Sequence, residues 1–260
     1  MTAWRWIGRL SPRLLALGVL VGFLAHPAAF APLFAPLAEN GAPAIYTQSP
    51  LLGLTLDHLR IVGLAATLST LIALPLAVIV TRRAGRAFFG LSRALVNLGQ
   101  TFPPVAVLAV MVPLVGFGAK PALIALFLYG LLPIFENTLA GLTQVPAAVL
   151  DAARGMGMGP LTRLVRIELP LALPLILEGI RVSTIINLGT ATIGSTVAAP
   201  GLGEVIIAGL LSNNTAFLLQ GGLLVALLAV LLHDGLGLIE RRVARAMGRF
   251  ETGGPAAPGR

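Results

Sequence analysis

Six long apolar runs separated by short polar connections dominate this chain of 260 residues. A helix needs about 20 residues to cross the ~30 Å hydrocarbon core of a bilayer, and lipid offers no partner for an unpaired backbone group. The runs therefore predict an all-α integral membrane protein with about six transmembrane helices. The predicted spans are Leu14–Leu37, Leu59–Val80, Ala94–Phe117, Pro121–Leu142, Leu171–Ala198 and Ala216–Ile239.

The composition excludes several classes of function. Hydrophobic residues make up 57% of the chain and charged residues 11%, whereas soluble domains carry about 25% charged residues. There is no cysteine, and the three histidines are scattered without ligand spacing, so no metal site is predicted. The only lysine, Lys120, is followed by a proline, so a phosphate-binding loop of the Gly-Lys-Ser/Thr type is excluded. We therefore expect no ATP hydrolysis by this chain.

The arginines collect in alternate connections between the predicted spans, which is typical of the cytoplasmic side of a membrane protein. Both termini and the two connections that hold these clusters are therefore predicted to be cytoplasmic. We interpret the clusters as topology signals and expect no nucleic-acid partner. Their members are Arg5, Arg9, Arg13; Arg82, Arg83, Arg86, Arg93; Arg154, Arg163, Arg166; and Arg241, Arg242, Arg245, Arg249.

The organisation along the chain follows from these spans. Residues 1–57 are predicted to form an N-terminal helix and an outer loop, 58–240 the transmembrane core, and 241–260 a basic, disordered cytoplasmic tail. The first run could also be a signal peptide cleaved near Ala29-Phe30-Ala31, but it exceeds the usual apolar core of about 7–15 residues, so a retained helix is favoured. The paired prolines Pro103-Pro104 predict a kink in the third span. A short helix at the outer interface is predicted after Ala199.

A charged segment from residue 144 to 170 interrupts the apolar chain on the predicted cytoplasmic side. Pro146 suits the start of a helix, and Gly155 or Gly157 can supply its left-handed end. Pro160 can open a second short helix, which we expect to end before Pro170. The segment is therefore predicted to be two short helices joined by a glycine elbow.

The first of these helices has the features of a docking element. Ala152 and Ala153 have no bulk, so another backbone can come close, and Asp151 and Arg154 offer charged contacts beside them. The alternative is an ordinary cytoplasmic loop in which the arginines serve topology alone.

This segment resembles the cytoplasmic motif of ABC importer permeases, which reads Glu-Ala-Ala, three residues, Gly, nine residues, Ile, one residue, Leu-Pro. The spacing is matched throughout, and the one departure is aspartate for glutamate at position 151. The resemblance implies a type I importer permease fold and a coupling helix that docks on a separate ATPase. The implied coupling residues are Asp151, Ala152, Ala153, Arg154, Gly155, Gly157, Ile167, Leu169 and Pro170.

Between about Asn97 and Leu210 the chain is similar to one subgroup, the permeases of importers for glycine betaine, choline and carnitine. The likeness lies in stretches such as Gln100-Thr-Phe-Pro-Pro, Leu128-Tyr-Gly-Leu-Leu-Pro-Ile and Glu168-Leu-Pro-Leu-Ala-Leu-Pro. It implies a bacterial inner-membrane protein that works with a dimeric ATPase, an extracytoplasmic solute-binding protein and a second permease copy or a paralogue. ATP and Mg²⁺ would be bound by the ATPase, and no cofactor by this chain. Glu136 stands where some members of the subgroup are expected to carry a basic residue, which leaves the solute open.

Polar residues inside the spans are candidates for the translocation path. On the fifth span Ser183, Asn187 and Thr190 share one helical face, although small and hydroxylated residues at this spacing also cement helix packing. Both interpretations stay open. The third span offers Asn97, Gln100 and Thr101 as similar candidates.

Glu178 and Arg181 are three residues apart, and we expect them to form a structural ion pair, because an unpaired charge in a membrane is costly.

Three functions are alternatives to an ABC permease for an osmoprotectant. An ion-coupled secondary transporter would need midplane carboxylates and inverted repeats, and neither is evident. An intramembrane hydrolase would have to use Ser195 and His233, whose surroundings contain no recognisable nucleophile turn. An ABC permease for a different small solute stays open.

Overall fold

The computed structural model describes residues 3–38 and 41–246, and these form helices joined by short turns. The helices are α1 (Ala3–Ala25), α2 (Ala31–Phe34), α3 (Leu51–Thr81), α4 (Phe89–Thr101), α5 (Pro104–Val115), α6 (Ala119–Thr143), α7 (Ala147–Gly155), α8 (Pro160–Arg163), α9 (Leu169–Thr190), α10 (Gly203–Leu211) and α11 (Thr215–Ala246).

Four helical segments are long and apolar enough to cross a bilayer: Leu51–Thr81, Ala119–Thr143, Pro160–Val197 and Thr215–Arg245. Two further pairs of helical pieces reach this length only together, across a sharp bend, and they bring the number of candidate spans to six. The all-α membrane fold predicted from the apolar runs is therefore confirmed. Each predicted span lies within one of these segments or extends past its end by no more than two residues.

The two bent pairs break at prolines. Pro12–Ala25 and Pro27–Leu37 meet at 114°, and Arg86–Thr101 and Pro104–Val115 meet at 94°. A residue before proline avoids the α region, and Phe102 is extended with φ −81° and ψ 130°. The kink predicted at Pro103-Pro104 is therefore wrong, because two successive prolines end one helix and begin another.

The second arm of the charged segment differs from its prediction. The helix that begins at Pro160 does not end before Pro170 but runs through a π-helical turn, Leu164–Glu168, into α9. In this turn the Leu169 N–H bonds the Leu164 carbonyl, five residues back. The wider turn accommodates Pro170, which has no N–H and whose ring would clash with a carbonyl in a regular α-helix. The arm is thus continuous with the fifth span.

Helix α6 lies at the centre of the bundle and packs against α3, α4 and α9. Small residues make these crossings close. A Cβ built on Gly99 of α4 would lie 2.2 Å from the Leu128 carbonyl oxygen of α6, and one on Gly179 of α9 would lie 2.8 Å from the Pro133 carbonyl oxygen. Membrane helices approach closely where such residues meet, because no side chain stands between the backbones.

The last two helices, α10 and α11, cover the short helix and the tail predicted from the sequence. Helix α10 confirms the short helix predicted after Ala199. Helix α11 continues to Ala246, so the first six residues of the tail predicted to be disordered, 241–246, are helical. The rest of that predicted tail lies outside the described residues.

Candidate functional site

The glycine elbow is present where the motif spacing placed it. Helix α7 begins directly after Pro146 and is closed at its far end by two backbone bonds. The Met158 N–H donates to the Ala153 carbonyl at 3.1 Å, and the Gly157 N–H donates to the Arg154 carbonyl at 2.9 Å. This is the Schellman arrangement, which requires a left-handed residue at its second-last position. Gly157, with φ +77°, fills that position.

The outer surface of the elbow combines an ion pair with exposed apolar side chains. Asp151 and Arg154 are exposed and joined at 2.7 Å between Oδ1 and Nη1. Met156 is 68% exposed and Leu161 is 72% exposed, although both are large and apolar. A surface of this kind is suited to contact with another protein, since apolar groups at its centre lose water on docking and charges surround them.

The two alanines of the motif have different environments. Ala152 is exposed, whereas Ala153 is buried against its own chain. Ala152 is therefore the motif alanine that is open to a partner, and a docking role for Ala153 stays a prediction.

The last three motif residues are less exposed than the surface formed by Asp151, Arg154, Met156 and Leu161. Ile167, Leu169 and Pro170 are all partly buried. Leu169 packs against a small apolar cluster made by Leu142 and Ala172 at the ends of α6 and α9. Leu169 thus anchors the second arm to the bundle, and a coupling role for Ile167, Leu169 and Pro170 stays a prediction.

Glu168 is a functional candidate that the motif did not reveal. Its side chain is buried, and its two carboxylate oxygens accept from two arginines, Arg82 Nη2 at 2.5 Å and Arg163 Nε at 3.1 Å. Arg82 follows directly after α3, and Arg163 is the last residue of α8. The sequence signal was a carboxylate placed between Ile167 and Leu169 at the edge of a span, where an unpaired charge is costly.

The path candidates on the fifth span do not share one environment. Ser183 and Asn187 are fully buried within the chain, and the Ser183 hydroxyl donates to the Gly130 carbonyl of α6 at 3.1 Å. The Asn187 amide has no hydrogen-bond partner among the described residues. Thr190 is partly buried and donates to the Ile186 carbonyl of its own helix. The structure therefore favours helix packing for Ser183, while for Asn187, whose buried amide has no partner among the described residues, both interpretations stay open.

The candidates on α4 face a different environment. Asn97 and Thr101 are exposed in this single chain, and the Thr101 hydroxyl donates to the Asn97 carbonyl. Gln100 is partly buried, and its amide donates to the Tyr129 carbonyl of α6 at 3.1 Å. A path role for these three stays a prediction.

Intramembrane charges are paired with one another. Glu178 and Arg181 form the predicted ion pair, and Arg181 also lies 3.3 Å from Glu240 of α11. Glu136 of α6 accepts two bonds from Arg93 of α4, at 2.7 and 3.2 Å. The acidic residue at position 136 thus serves to join two helices.

Arg13 of α1 is joined to Asp234 of α11 at 2.5 Å. This pair fastens the first helix to the last span.

The outer loop is fastened to the outer ends of α10 and α11, which sequence reasoning missed. The Tyr46 hydroxyl donates to Glu204 at 2.7 Å, and the Ser49 hydroxyl donates to the same oxygen at 2.6 Å. Burial and the bond to Glu204 raise the pKa of Tyr46 to about 12. The Gln220 amide accepts from the Tyr46 N–H and donates to the Ala44 carbonyl, so the loop is held on two sides.

Comparison with known families finds one match. Residues 73–245 match the family described as binding-protein-dependent transport system inner membrane component. The matched range contains the elbow, Glu168 and both of its arginine partners.

Among relatives, the osmoprotectant import permease protein OsmY of Salmonella typhimurium is 40% identical over 197 residues, covering 76% of this chain and 84% of the relative. The choline transport system permease protein OpuBB of Bacillus subtilis is 39% identical over 210 residues, covering 81% of this chain and 93% of the relative.

Two solved structures share the fold. The methionine ABC transporter MetNI, in an inward-facing conformation, matches with a TM-score of 0.66 and 24% identity over 72% of this chain and 93% of the other. A bacterial alginate ABC transporter, in complex with an alginate-bound periplasmic protein, matches with a TM-score of 0.57 and 16% identity over 94% of this chain and 99% of the other.

Proposed function

Because the chain belongs to the family of binding-protein-dependent transport system inner membrane components, we propose that the exposed part of its charged segment, residues 144–170, which we call the elbow, is the contact through which a separate ATPase drives solute import. The chain is a multi-pass permease subunit of an ABC importer in the inner membrane. It is a transport subunit, and ATP is hydrolysed elsewhere in such systems. We propose both the surface to which the ATPase attaches and the solute that is carried.

The observation that supports the attachment is the exposed face of the elbow. This docking face consists of Met156 in the turn after α7, Leu161 of α8 and the Asp151–Arg154 pair, and all four residues are exposed. It lies on the side predicted to be cytoplasmic. Exposed ion pairs contribute little to stability, so this pair is available to a partner at small cost. A dimeric ATPase with bound ATP and Mg²⁺ is the partner we propose for this face.

The solute we propose is a small osmoprotectant with a quaternary ammonium group, such as glycine betaine or choline. This follows from two relatives, of which one is an osmoprotectant import permease protein and the other a choline transport system permease protein. Aromatic residues make up only 6% of the chain, and quaternary ammonium groups are commonly held in aromatic cages. We therefore propose that an extracytoplasmic binding protein selects the solute and that two permease chains, identical or paralogous, enclose the path.

The attachment is tested by Asp151→Lys and Gly157→Leu in a permease purified with its ATPase. Both variants should lower the amount of ATPase retained and the solute-stimulated ATP turnover, because one reverses a charge on the docking face and the other disrupts the elbow. Asp57→Lys is the control, since Asp57, with 36% of its side chain exposed, forms a comparable i,i+3 pair with Arg60 at 2.8 Å near the start of α3, away from the elbow. Full ATPase retention and full stimulated turnover in both elbow variants would contradict the proposal.

A further inference from the structure

We propose that Glu168 is a positioning residue that ties the elbow to both α3 and α9, so that movement of the elbow is transmitted to two spans together. This inference rests on the proposed function, since it assumes that an ATPase moves the elbow. It concerns a buried carboxylate outside the docking face, and it assigns a role to Arg82, which lies outside the motif.

The geometry joins three segments through one side chain. Glu168 ends the π-helical turn and leads directly into α9. Its Oε1 atom accepts from Arg163 of the elbow's second arm, and its Oε2 atom accepts from Arg82 at the end of α3. Each oxygen thus fastens a different segment.

Arg82 is itself held in place by the last turn of α3. Its Nε donates to the Val78 carbonyl at 3.3 Å and to the Thr81 hydroxyl at 3.2 Å. The guanidinium is therefore attached at one end to α3 and at the other to Glu168. A pull on Glu168 acts on α3 through this side chain.

Burial makes this link stronger than the ion pair on the docking face. The Glu168 side chain is 6% exposed, whereas the side chains of Asp151 and Arg154 are 66% and 59% exposed. Charge-assisted bonds are strongest where water is excluded, and breaking a buried pair leaves an uncompensated charge. The exposed pair can exchange partners on docking, while the buried link stays closed.

The link also spans a weak point in the helix. The π-helical turn replaces regular i→i−4 bonds with wider ones, and Pro170 removes a further donor. Such turns are places where a helix bends readily. The Arg163–Glu168 pair spans this turn, and Glu168 is also tied to Arg82, so bending at this point carries α3 along.

The test uses Glu168→Gln, Arg82→Met and the double variant, each reconstituted in proteoliposomes with ATPase and binding protein. The measured quantity is solute transported per ATP hydrolysed. Each variant should keep ATPase affinity and basal ATP turnover while this ratio falls at least about fivefold, the lower end of usual coupling between sites. The double variant should lose no more than either single variant, because both remove the same link.

Arg83→Met is the matched control for Arg82→Met, since Arg83 is the exposed neighbour of Arg82 and the substitution makes the same change of charge. Its ratio should stay at the wild-type value. Ratios for Glu168→Gln and Arg82→Met equal to that of this control would overturn the inference, as would loss of assembly in both, which would mark the link as needed for folding alone. A wild-type chain that never binds the ATPase would instead overturn the proposed function.

Discussion

Single residues decide the shape of the elbow, and they differ in how far the sequence reveals them. Gly157 was one of two glycines that could take the left-handed position, and the hydrogen bonds of the Schellman turn select it. Glu168 was visible as an isolated carboxylate, but its partner Arg82 lies in a distant connection. Spacing along a helix predicts neighbours three or four residues away, and it contains no information about a residue that only the packed fold brings near.

Gly157→Ala should weaken ATPase binding, because a left-handed alanine costs about 1–2 kcal/mol and the closed elbow would become less populated. The dissociation constant of the ATPase should rise about 5- to 30-fold if this cost falls on the docking conformation. Titration of the ATPase onto the permease in nanodiscs measures it. Gly155→Ala is the control, because the φ of Gly155 is not positive and a Cβ built there would meet nothing within 4 Å. Equal dissociation constants for the two variants would contradict this account of the elbow.

At the level of helices, apolar length predicted the spans well, and proline predicted where they are irregular. The sequence could not distinguish a kink from a break, because that depends on whether neighbouring helices satisfy the freed carbonyls. Pro75 and Pro133 lie inside continuous helices, whereas Pro27 and the pair Pro103-Pro104 end them. The helical continuation through Pro170 was missed for a related reason, since a π-helical turn absorbs the proline.

Gly99→Ala tests the packing of α4 on α6. The new Cβ would meet the Leu128 carbonyl oxygen, which is backbone and cannot rotate away. We expect a loss of about 1–3 kcal/mol in the free energy of unfolding, as for other overpacked sites. Thermal unfolding in detergent measures the change as a lower Tm. Gly90→Ala on the same helix is the control, because a Cβ there meets nothing within 4 Å, and an equal Tm for the two variants would show that the crossing is not close.

For the whole molecule, the sequence was sufficient to predict the fold class and insufficient to locate the path, and its assignment of the ATPase contact stays a proposal. Helical periodicity shows that Ser183 and Asn187 share a face, but it does not show what that face meets, and α6 covers both. Asn97 and Thr101 are open in a single chain. In the proposed assembly a second permease chain would cover them, and the local sequence pattern around these residues does not show which of its residues they would meet.

The most direct test of the central claim is uptake of radiolabelled glycine betaine by proteoliposomes that contain this chain, its ATPase and its binding protein. Uptake should require ATP on the side that carries residues 144–170, should stop when Asp151→Lys replaces the wild type, and should be unaffected when ion gradients are dissipated. Uptake driven by an ion gradient in the absence of any ATPase would contradict the account.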